Sequence, residues 1–269
     1  DLGVLYGDKL KDYHRAIDYY QKAIIIYEED GKEKDLAILY NNIAINYSQL
    51  YEYDKALEYN NKALSIHRAL ADNQNSIDYQ REIADDLKDI GYRYSQMEEY
   101  EKAEEKLLES LDLAKKIYAS TKKNADAREV VNVYEKLSDN YFAKGELDKA
   151  FEMEKERLRI SQEIDAKDLI ASSYFKKGYI KNRESKDYDK ATEYYEKAYD
   201  AYLAAGDTSN AVITRSNIGA NYSNQLNDEE AIKNHLAAID LAEKIQDHEK
   251  MGYSYSRLAK LYQQTGDPK

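Results

Sequence analysis

The stretch Glu52-Tyr-Asp-Lys-Ala56 recurs along the chain with small changes, and it decides the fold. Each related copy opens on an acidic residue and closes on an alanine: Asp12 to Ala16, Glu99 to Ala103, Glu146 to Ala150, Asp187 to Ala191 and a shorter Asp228 to Ala231. The alanines follow one another at intervals of 40, 47, 47, 41 and 40 residues. Self-similarity at such a period is typical of stacked supersecondary units, so we predict a repeat array.

A second signature precedes most copies, as in Asn42-Ile-Ala-Ile-Asn-Tyr47 and Asn217-Ile-Gly-Ala-Asn-Tyr222. It consists of a large apolar residue, then a small one, then a tyrosine three residues on. These three positions fall on one side of a helix. The small residue lets a neighbouring helix approach closely, and the tyrosine fills the gap beside it. Each repeat is therefore predicted to be two antiparallel helices, A with the tyrosine and B with the alanine.

The composition agrees with an all-α fold and excludes several kinds of site. The 269 residues include one proline and ten glycines, while residues that favour helices dominate. The absence of cysteine excludes disulfides, thiolate metal sites and a cysteine nucleophile. Fifty-two acids against forty bases give a net charge of -12, which repels phosphate backbones, so nucleic acid is a poor default partner.

The two signatures together resemble the tetratricopeptide repeat: apolar at position 7, small at 8, tyrosine at 11 and alanine at 20. Position 27 is also small, in Ala23, Ala63, Ser110, Ala198 and Ala238, but the fourth repeat has Arg157 there and Leu147 in place of a tyrosine. The resemblance implies an α-solenoid wound as a right-handed superhelix. Since the period exceeds the usual 34 residues, the helices or the turns must be longer. The long-period repeats of kinesin light chains and of bacterial Rap-type regulators are similar.

We predict a single solenoid over residues 1–269 with six to seven helix pairs. Its units are 1–30 (partial), 35–71, 77–120, 126–164, 168–205, 208–246 and 249–269 (partial). Gly3 and Gly178 lie thirteen residues before their alanines, which predicts one extra residue in the turn between helices A and B. Leu2–Tyr6 is typical of the end of a helix A, and 265–268 of a turn towards a helix B. We therefore expect a segment of a longer chain.

Helices A line the concave side of such a solenoid, where positions 2, 5, 6, 9 and 13 point away from the core. This register predicts the following partner-binding residues: Asn42, Asp89, Tyr92, Lys136, Lys176, Tyr179, Arg183, Asn217, Arg257 and Lys260. From its middle onward the series is basic and could attract an acidic segment. The carboxylate clamp that some members of the family use is not reproduced. The asparagines could equally be family defaults, and the cations solvated surface.

Other chemistry finds little support in the sequence. Four histidines, His14, His67, His235 and His248, lack the spacing of a metal site. Adjacent acids such as Asp85 and Asp86 are interpreted as solubilising charge. The tyrosines at position 11 are assigned to the core, with Tyr92 and Tyr179 as the exceptions that could stack on a ligand. We therefore expect no catalytic residue, no metal and no cofactor, and a protein that is not an enzyme.

The leading hypothesis is a scaffold that binds a peptide or helix of another protein in its groove. One alternative is a regulatory or sensor region of a larger signalling enzyme, such as a kinase, a transcription regulator or a caspase-like protease, with an intramolecular segment as ligand. A helical repeat that binds RNA is a third option. No run is apolar enough to cross a membrane, so we expect a soluble chain, with the cytoplasm as the expected compartment and an undecided oligomeric state.

Overall fold

The computed structural model describes residues 2–74, 76–185 and 187–265, and within these ranges the chain is α-helical with short connections and no strand. The prediction of an all-α repeat of antiparallel helix pairs is confirmed. The helices are α1 Leu2–Val4 (followed by a π-helical turn, Leu5–Lys9), α2 Tyr13–Glu29, α3 Glu33–Gln49, α4 Tyr53–Gln74, α5 Ile77–Gln96, α6 Tyr100–Thr121, α7 Asn124–Lys144, α8 Leu147–Glu163, α9 Lys167–Ser185, α10 Tyr188–Ala204, α11 Thr208–Asn224, α12 Asp228–Lys244 and α13 His248–Thr265.

The helices form two compact units, residues 1–145 with α1 to α7 and residues 146–269 with α8 to α13. In each unit consecutive helices pack on one another, so that helices A and B alternate along the chain. The odd-numbered helices from α3 to α13 are helices A, and the even-numbered ones are helices B. A single solenoid over residues 1–269 stays a prediction.

Helix length explains the long period. The helices of the two 47-residue intervals are long, with 22 residues in α4 and in α6 and 20 and 21 residues in α5 and α7. By contrast, α10, α11 and α12 have 17 residues each. Connections stay short throughout, as where α6 ends at Thr121 and α7 begins at Asn124. The long period therefore comes from longer helices and not from longer turns.

The core repeats with the sequence. All six alanines of the recurrent stretch have no exposed surface. They allow a glycine or another small residue of helix A to lie against helix B: a Cβ added to Gly91 would stand 2.7 Å from Leu107 Cγ and 3.2 Å from the carbonyl oxygen of Ala103. Of the tyrosines at position 11, Tyr47, Tyr94 and Tyr222 pack against this core, and Tyr141 is buried in it. The assignment to the core is confirmed for these four.

The helices B from α2 to α10 begin directly after the acidic residue that opens the recurrent stretch, and where this residue is an aspartate its side chain caps the helix. Asp12 accepts a hydrogen bond from the backbone N–H of Arg15 at 3.2 Å, and Asp187 accepts one from Lys190 at the same distance. Asn227 has the same role before α12, with the N–H of Glu230 at 3.3 Å. Short side-chain acceptors at this place satisfy an N–H that the helix itself cannot. Glu99 and Glu146 make no such bond, so a side-chain cap fixes the start of only some of the helices B.

The extra residue expected in the first turn lies elsewhere. Three residues connect Lys9 to Tyr13, as they connect Gln49 to Tyr53, so the turn keeps its length. The π-helical turn Leu5–Lys9 accommodates the additional residue, as single-turn π-helices do. After α9 the helix continues to Ser185; residue 186 lies outside the described residues, as do residues 266–269 of the predicted terminal turn.

Arg157 stands at the position that the repeat reserves for a small residue, and it is buried beside Glu154. Its guanidinium donates to Glu154 Oε2 at 3.2 Å and to the hydroxyl of Ser172, on α9, at 3.0 Å. A buried charge requires a partner of opposite sign. The fourth repeat thus replaces close helix packing by an ion pair within α8 and a hydrogen bond from Arg157 that links α8 to α9.

Candidate functional site

The candidate site is the outer row, which we define as positions 2, 6 and 9 of helices A. These positions are spaced i, i+4 and i+7, so they share one face of each helix. On α3 they are Ile38, Asn42 and Ile45, and the two isoleucines are exposed although their neighbours Ile43 and Ala44 are fully buried. The outer row therefore presents side chains that the core does not use.

In the first unit the outer row brings Tyr92 and Lys136 together. The ammonium of Lys136, on α7, lies 4.4 Å from the ring centroid of Tyr92, on α5, and the guanidinium of Arg93 lies 5.3 Å from the same ring. A cation over an aromatic face is attracted by the ring's quadrupole. Asp89 lies one helical turn before Tyr92 on α5. Burial raises the pKa of its carboxyl, although the nearby charges of Lys88 and Arg93 act to lower it. Asn42 lies on α3, where its carbonyl accepts a hydrogen bond from Asn46 at 2.8 Å.

In the second unit the outer row begins on α9 with Lys176 and Tyr179, the ammonium lying 5.9 Å from the ring centroid. Tyr179 is 43% exposed. It lines a cavity of about 440 Å³ together with Arg183, Asn182 and Tyr188. Lys176, Tyr179 and Arg183 are therefore neighbours on one helix, beside an opening that is wide enough for a side chain.

Asn217 and Tyr253 meet at a second cavity, of about 340 Å³, between α11 and α13. Val212 and Ile213 of α11 form the apolar part of its wall, and Ser216 of α11 and Glu249 and Lys250 of α13 add polar groups. An apolar pocket with a few polar groups is the usual form of a binding site for a small group. Asn217 supplies both a donor and an acceptor there.

Arg257 and Lys260 line a third cavity, of about 430 Å³, also between α11 and α13. The Arg257 guanidinium donates from Nε at 3.2 Å and from Nη2 at 2.9 Å to the hydroxyl of Tyr253. His235, on α12, also lines this cavity, although nothing in its sequence surroundings indicates a place there. The structure thus brings Tyr92 to Lys136, places Lys176 near Tyr179 and Arg183, and joins Arg257 and Lys260 at one cavity. Asn42, Asp89 and Asn217 are not part of these groups.

A buried polar network in the first unit was also missed. His67, on α4, has its Nδ1 2.6 Å from Asp86 Oδ2, on α5. Asn41 donates to Asp86 Oδ1 at 2.7 Å and accepts a hydrogen bond from Asn60 at 3.0 Å. Asp86 is almost fully buried, so its interpretation as solubilising charge is wrong. Since its partners lie on α3 and α4, nothing in the local sequence reveals the burial.

Several other cations form ion pairs with carboxylates, so we do not count them among the candidate ligand-binding residues. Lys88 contacts both Asp85 and Glu129, at 2.6 and 2.5 Å. Burial by itself would lower the pKa of Lys88. The opposing effect of the Asp85 and Glu129 carboxylates is larger, so the pKa of Lys88 is raised above its ordinary value. Arg81 binds Asp126 through two hydrogen bonds, of 2.7 and 2.9 Å. These pairs join α5 to α7 and leave little charge for a partner.

Within the described ranges, no group of three or more histidine, aspartate or glutamate side chains is placed to hold a metal ion. No helix among the described residues combines the length and the apolarity that crossing a membrane requires.

Models of the tetratricopeptide repeat match residues 1–69 and 171–204. A curated relative, the uncharacterized protein ycf37 of Guillardia theta, is 44% identical over 64 residues, which are 24% of this chain and 35% of that protein. The aligned stretch thus spans about a third of the relative's length.

Solved structures show the same fold at low sequence identity. A signal transduction ATPase with numerous domains and a tetratricopeptide repeat sensor, from Pyrococcus horikoshii, gives a TM-score of 0.69 at 21% identity over 99% of this chain and 43% of that one. A Rap protein complexed with competence and sporulation factor gives 0.60 at 17%, over 98% and 74%. The kinesin light chain-like repeats of Podosopora anserina give 0.54 at 16%, over 68% and 86%. The predicted resemblance to tetratricopeptide repeats of these kinds is confirmed.

Proposed function

We propose that this chain, whose residues 1–69 and 171–204 match the tetratricopeptide repeat, binds a polypeptide segment along its outer row. We propose further that it is not itself an enzyme. The observation that carries this proposal is the recurrence of the row. Positions 2, 6 and 9 of α3 include exposed isoleucines beside a fully buried Ile43. Exposed apolar groups interspersed with amides and charges suit an extended peptide, whose backbone and side chains both need partners.

The charge of the outer row indicates which kind of segment each unit would bind. In the second unit the cations of the outer row are Lys176, Arg257 and Lys260, and no residue of the row is acidic. Arg183 follows on the same face of α9, at position 13. In the first unit, Asp85, Asp89 and Asp139 occupy positions of the row, with Lys136 as its cation. We infer that an acidic segment binds the second unit, because opposite charge favours both encounter and register.

A regulatory role is the second candidate, and the solved structures favour it. One neighbour carries a tetratricopeptide repeat sensor within an ATPase of several domains, and another is a Rap protein complexed with competence and sporulation factor. Here the bound segment would belong to the same protein, or would be a signal that changes an attached domain. Coding sequence that flanks residues 1–269 separates the candidates: a catalytic motif supports regulation, and a capping helix followed by a stop supports a free scaffold.

Selection from a displayed library of random peptides tests the outer row. The affinity of peptides chosen on the wild-type chain is then measured for the double variant Lys176→Glu and Arg183→Glu, whose two changes both lie on α9 of the second unit. We expect enrichment of acidic peptides and at least a tenfold loss of affinity in the variant, since roughly 1.4 kcal/mol corresponds to tenfold and reversal of two charges exceeds that.

The control reverses two cations on helices B, Lys62→Glu on α4 and Lys197→Glu on α10. Both lysines are exposed and pair with a glutamate one turn earlier. The selected peptides should bind this control as they bind the wild type. Equal binding to all three proteins would exclude the outer row as the binding surface.

A further inference from the structure

We propose that the side-chain amine of Lys177, on α9, is an acylation site that takes its acyl group from a small thioester. The amine belongs to the second unit, where it lies between a ring of α8 and a ring of α10. Such a modification goes beyond the proposed function, since it requires neither a bound segment nor a residue of the outer row.

Lys177 stands at a core position of the repeat. It precedes Gly178, and a Cβ added to Gly178 would lie 3.0 Å from the carbonyl oxygen of Ala191. Gly178 is therefore position 8 of α9, and Lys177 is position 7. The other helices A carry a buried aliphatic residue at position 7: Ile43, Ile90, Leu137, Ile218 and Leu258. A charged group in place of these residues opposes packing, and such a departure from the local rule is typical of functional residues.

Three aromatic rings surround the amine. Nζ of Lys177 lies 4.7 Å from the ring centroid of Tyr194 and 5.0 Å from that of Phe151. The ring of Tyr174, on the same helix, is 6.0 Å away. A ring face attracts a cation less strongly than a carboxylate does. The rings therefore hold the side chain in place without fully compensating the positive charge, which burial disfavours.

The charges around the amine favour its neutral form. Within the described part of the chain Lys177 forms no ion pair. The lysines near it each pair with a glutamate of their own helix: Lys155 with Glu152, Lys181 with Glu184 and Lys197 with Glu193. Burial is the main cause that lowers the pKa of Lys177, followed by the charges of Lys155 and Lys197. The carboxylates of Glu154 and Glu152 act to raise this pKa but do not reverse the direction.

The amine stays within reach of a small reagent. Lys177 keeps 7% of its surface exposed. In the described part of the chain, Nε of Arg93 and Nδ1 of His235 are enclosed without a hydrogen-bond partner, whereas Nζ of Lys177 is not enclosed in this way. A lysine commonly buries its aliphatic stem and keeps its amine at the surface. The stem of Lys177 can therefore stay packed while a thioester approaches Nζ.

Acylation matches both the neutral amine and the apolar position. The lone pair of Nζ attacks the thioester carbonyl, the C–N bond forms and the C–S bond breaks. The thiolate leaves and takes up the proton that the nitrogen loses. The product is an uncharged amide, so the buried positive charge is removed. Position 7 of α9 then carries an uncharged side chain, as it does in the other helices A.

Acetylation of the full chain by S-acetyl-N-acetylcysteamine near neutral pH tests the proposal. Mass spectrometry of peptides cleaved after glutamate gives the rate at each lysine. Lys190 is the internal reference, because it is exposed and its hydrogen bond to Asp187 raises its pKa. Lys177 should react at least tenfold faster than Lys190, since each pKa unit changes the fraction of neutral amine about tenfold. Its rate should also level off at a lower pH.

Variants and urea give the controls. Lys155→Met removes a charge that lowers the pKa of Lys177, so it should slow acetylation there roughly threefold, the effect of half a pKa unit. Lys233→Met, which replaces an exposed lysine of α12 paired with Glu230, should leave the rate unchanged. In urea the preference for Lys177 should disappear, because unfolding separates it from α8 and α10.

Three results would overturn the proposal. They are a rate at Lys177 no higher than that at Lys190, a preference that persists in urea, and an unchanged rate in the Lys155 variant. No peptide takes part in this experiment. Its failure would therefore leave the binding of a segment along the outer row unaffected, and the two proposals are tested separately.

Discussion

At the scale of single residues, the contact between a small side chain of helix A and an alanine of helix B sets how closely the helices approach. Ala103 has no exposed surface, and its carbonyl lies against Gly91. Protein interiors are packed as densely as organic crystals, so an added group has no space to occupy. The six alanines therefore act as spacers of fixed size.

Replacement of Ala103 by leucine should destabilise the chain by about 1–3 kcal/mol, because the larger side chain forces α5 and α6 apart. Urea denaturation followed by circular dichroism measures the change. Ala119→Leu provides the control, since Ala119 lies exposed on the same helix and leucine is a good helix former. A denaturation midpoint for Ala103→Leu that equals the wild type would contradict the assigned packing.

His235 should make stability depend on pH. Its pKa in the folded chain is about 4 because of burial, whereas an unfolded histidine titrates near 6.5. Between these values the unfolded state binds the proton more readily, so stability falls as the pH is lowered from about 6.5 towards 4. Each pKa unit corresponds to about 1.4 kcal/mol, which gives a loss of about 2 kcal/mol between pH 7 and pH 5.

The measurement is denaturation of the wild type and of His235→Gln at both pH values. Carboxylates titrate in both proteins, so the difference between them isolates the imidazole. The stability gap between wild type and variant should shrink at pH 5. His14→Gln, an exposed histidine on α2, should run parallel to the wild type, and a parallel course for His235→Gln would refute the expectation.

At the scale of elements, caps and helix lengths divide the chain into its units. Asp207 accepts a hydrogen bond from the backbone N–H of Asn210 at 3.0 Å and another from the Asn210 side chain at 2.7 Å. It follows Gly206, whose φ of 75° suits a residue without a Cβ. Gly206 thus marks the end of α10 and Asp207 the start of α11, the places in a sequence where such residues are usual.

Asp207→Ala should therefore cost about 1 kcal/mol, the usual effect of losing an N-cap. Thermal unfolding monitors it, with Asp200→Ala, at an exposed site inside α10, as the comparison. The Asp200 variant should keep or slightly raise the melting temperature because alanine favours helix. Equal melting temperatures for the two variants would argue against the cap.

At the scale of the whole molecule, the balance of charge opposes nucleic acid. The net charge of -12 repels a phosphate backbone even though the predicted residues of the second unit include several cations. We expect no saturable binding of single-stranded RNA at physiological salt, measured by the fluorescence anisotropy of a labelled oligonucleotide. Binding that weakens linearly in log–log plots against salt would instead restore the RNA option.

The sequence by itself determined the repeat, the all-α class and the positions that pack. These follow from local periodicity: the acid that caps a helix B and the alanine buried four residues later belong to one short stretch. Whether helices or turns were longer stayed open, because both produce the same spacing of alanines. The extra residue near Gly3 was misplaced for the same reason, since a count along the chain does not distinguish a turn from a π-helical turn.

The tertiary structure decided what the polar residues do. Asp86 has the sequence surroundings of a surface acid, yet α3 and α4 bring Asn41 and His67 to it. His235 meets the cavity of Arg257 and Lys260 only because α12 packs between α11 and α13. Contacts of this kind join residues from different helices, and periodicity within one helix carries no information about them. For this reason the outer row was predictable as a surface, whereas its cavities and their partners were not.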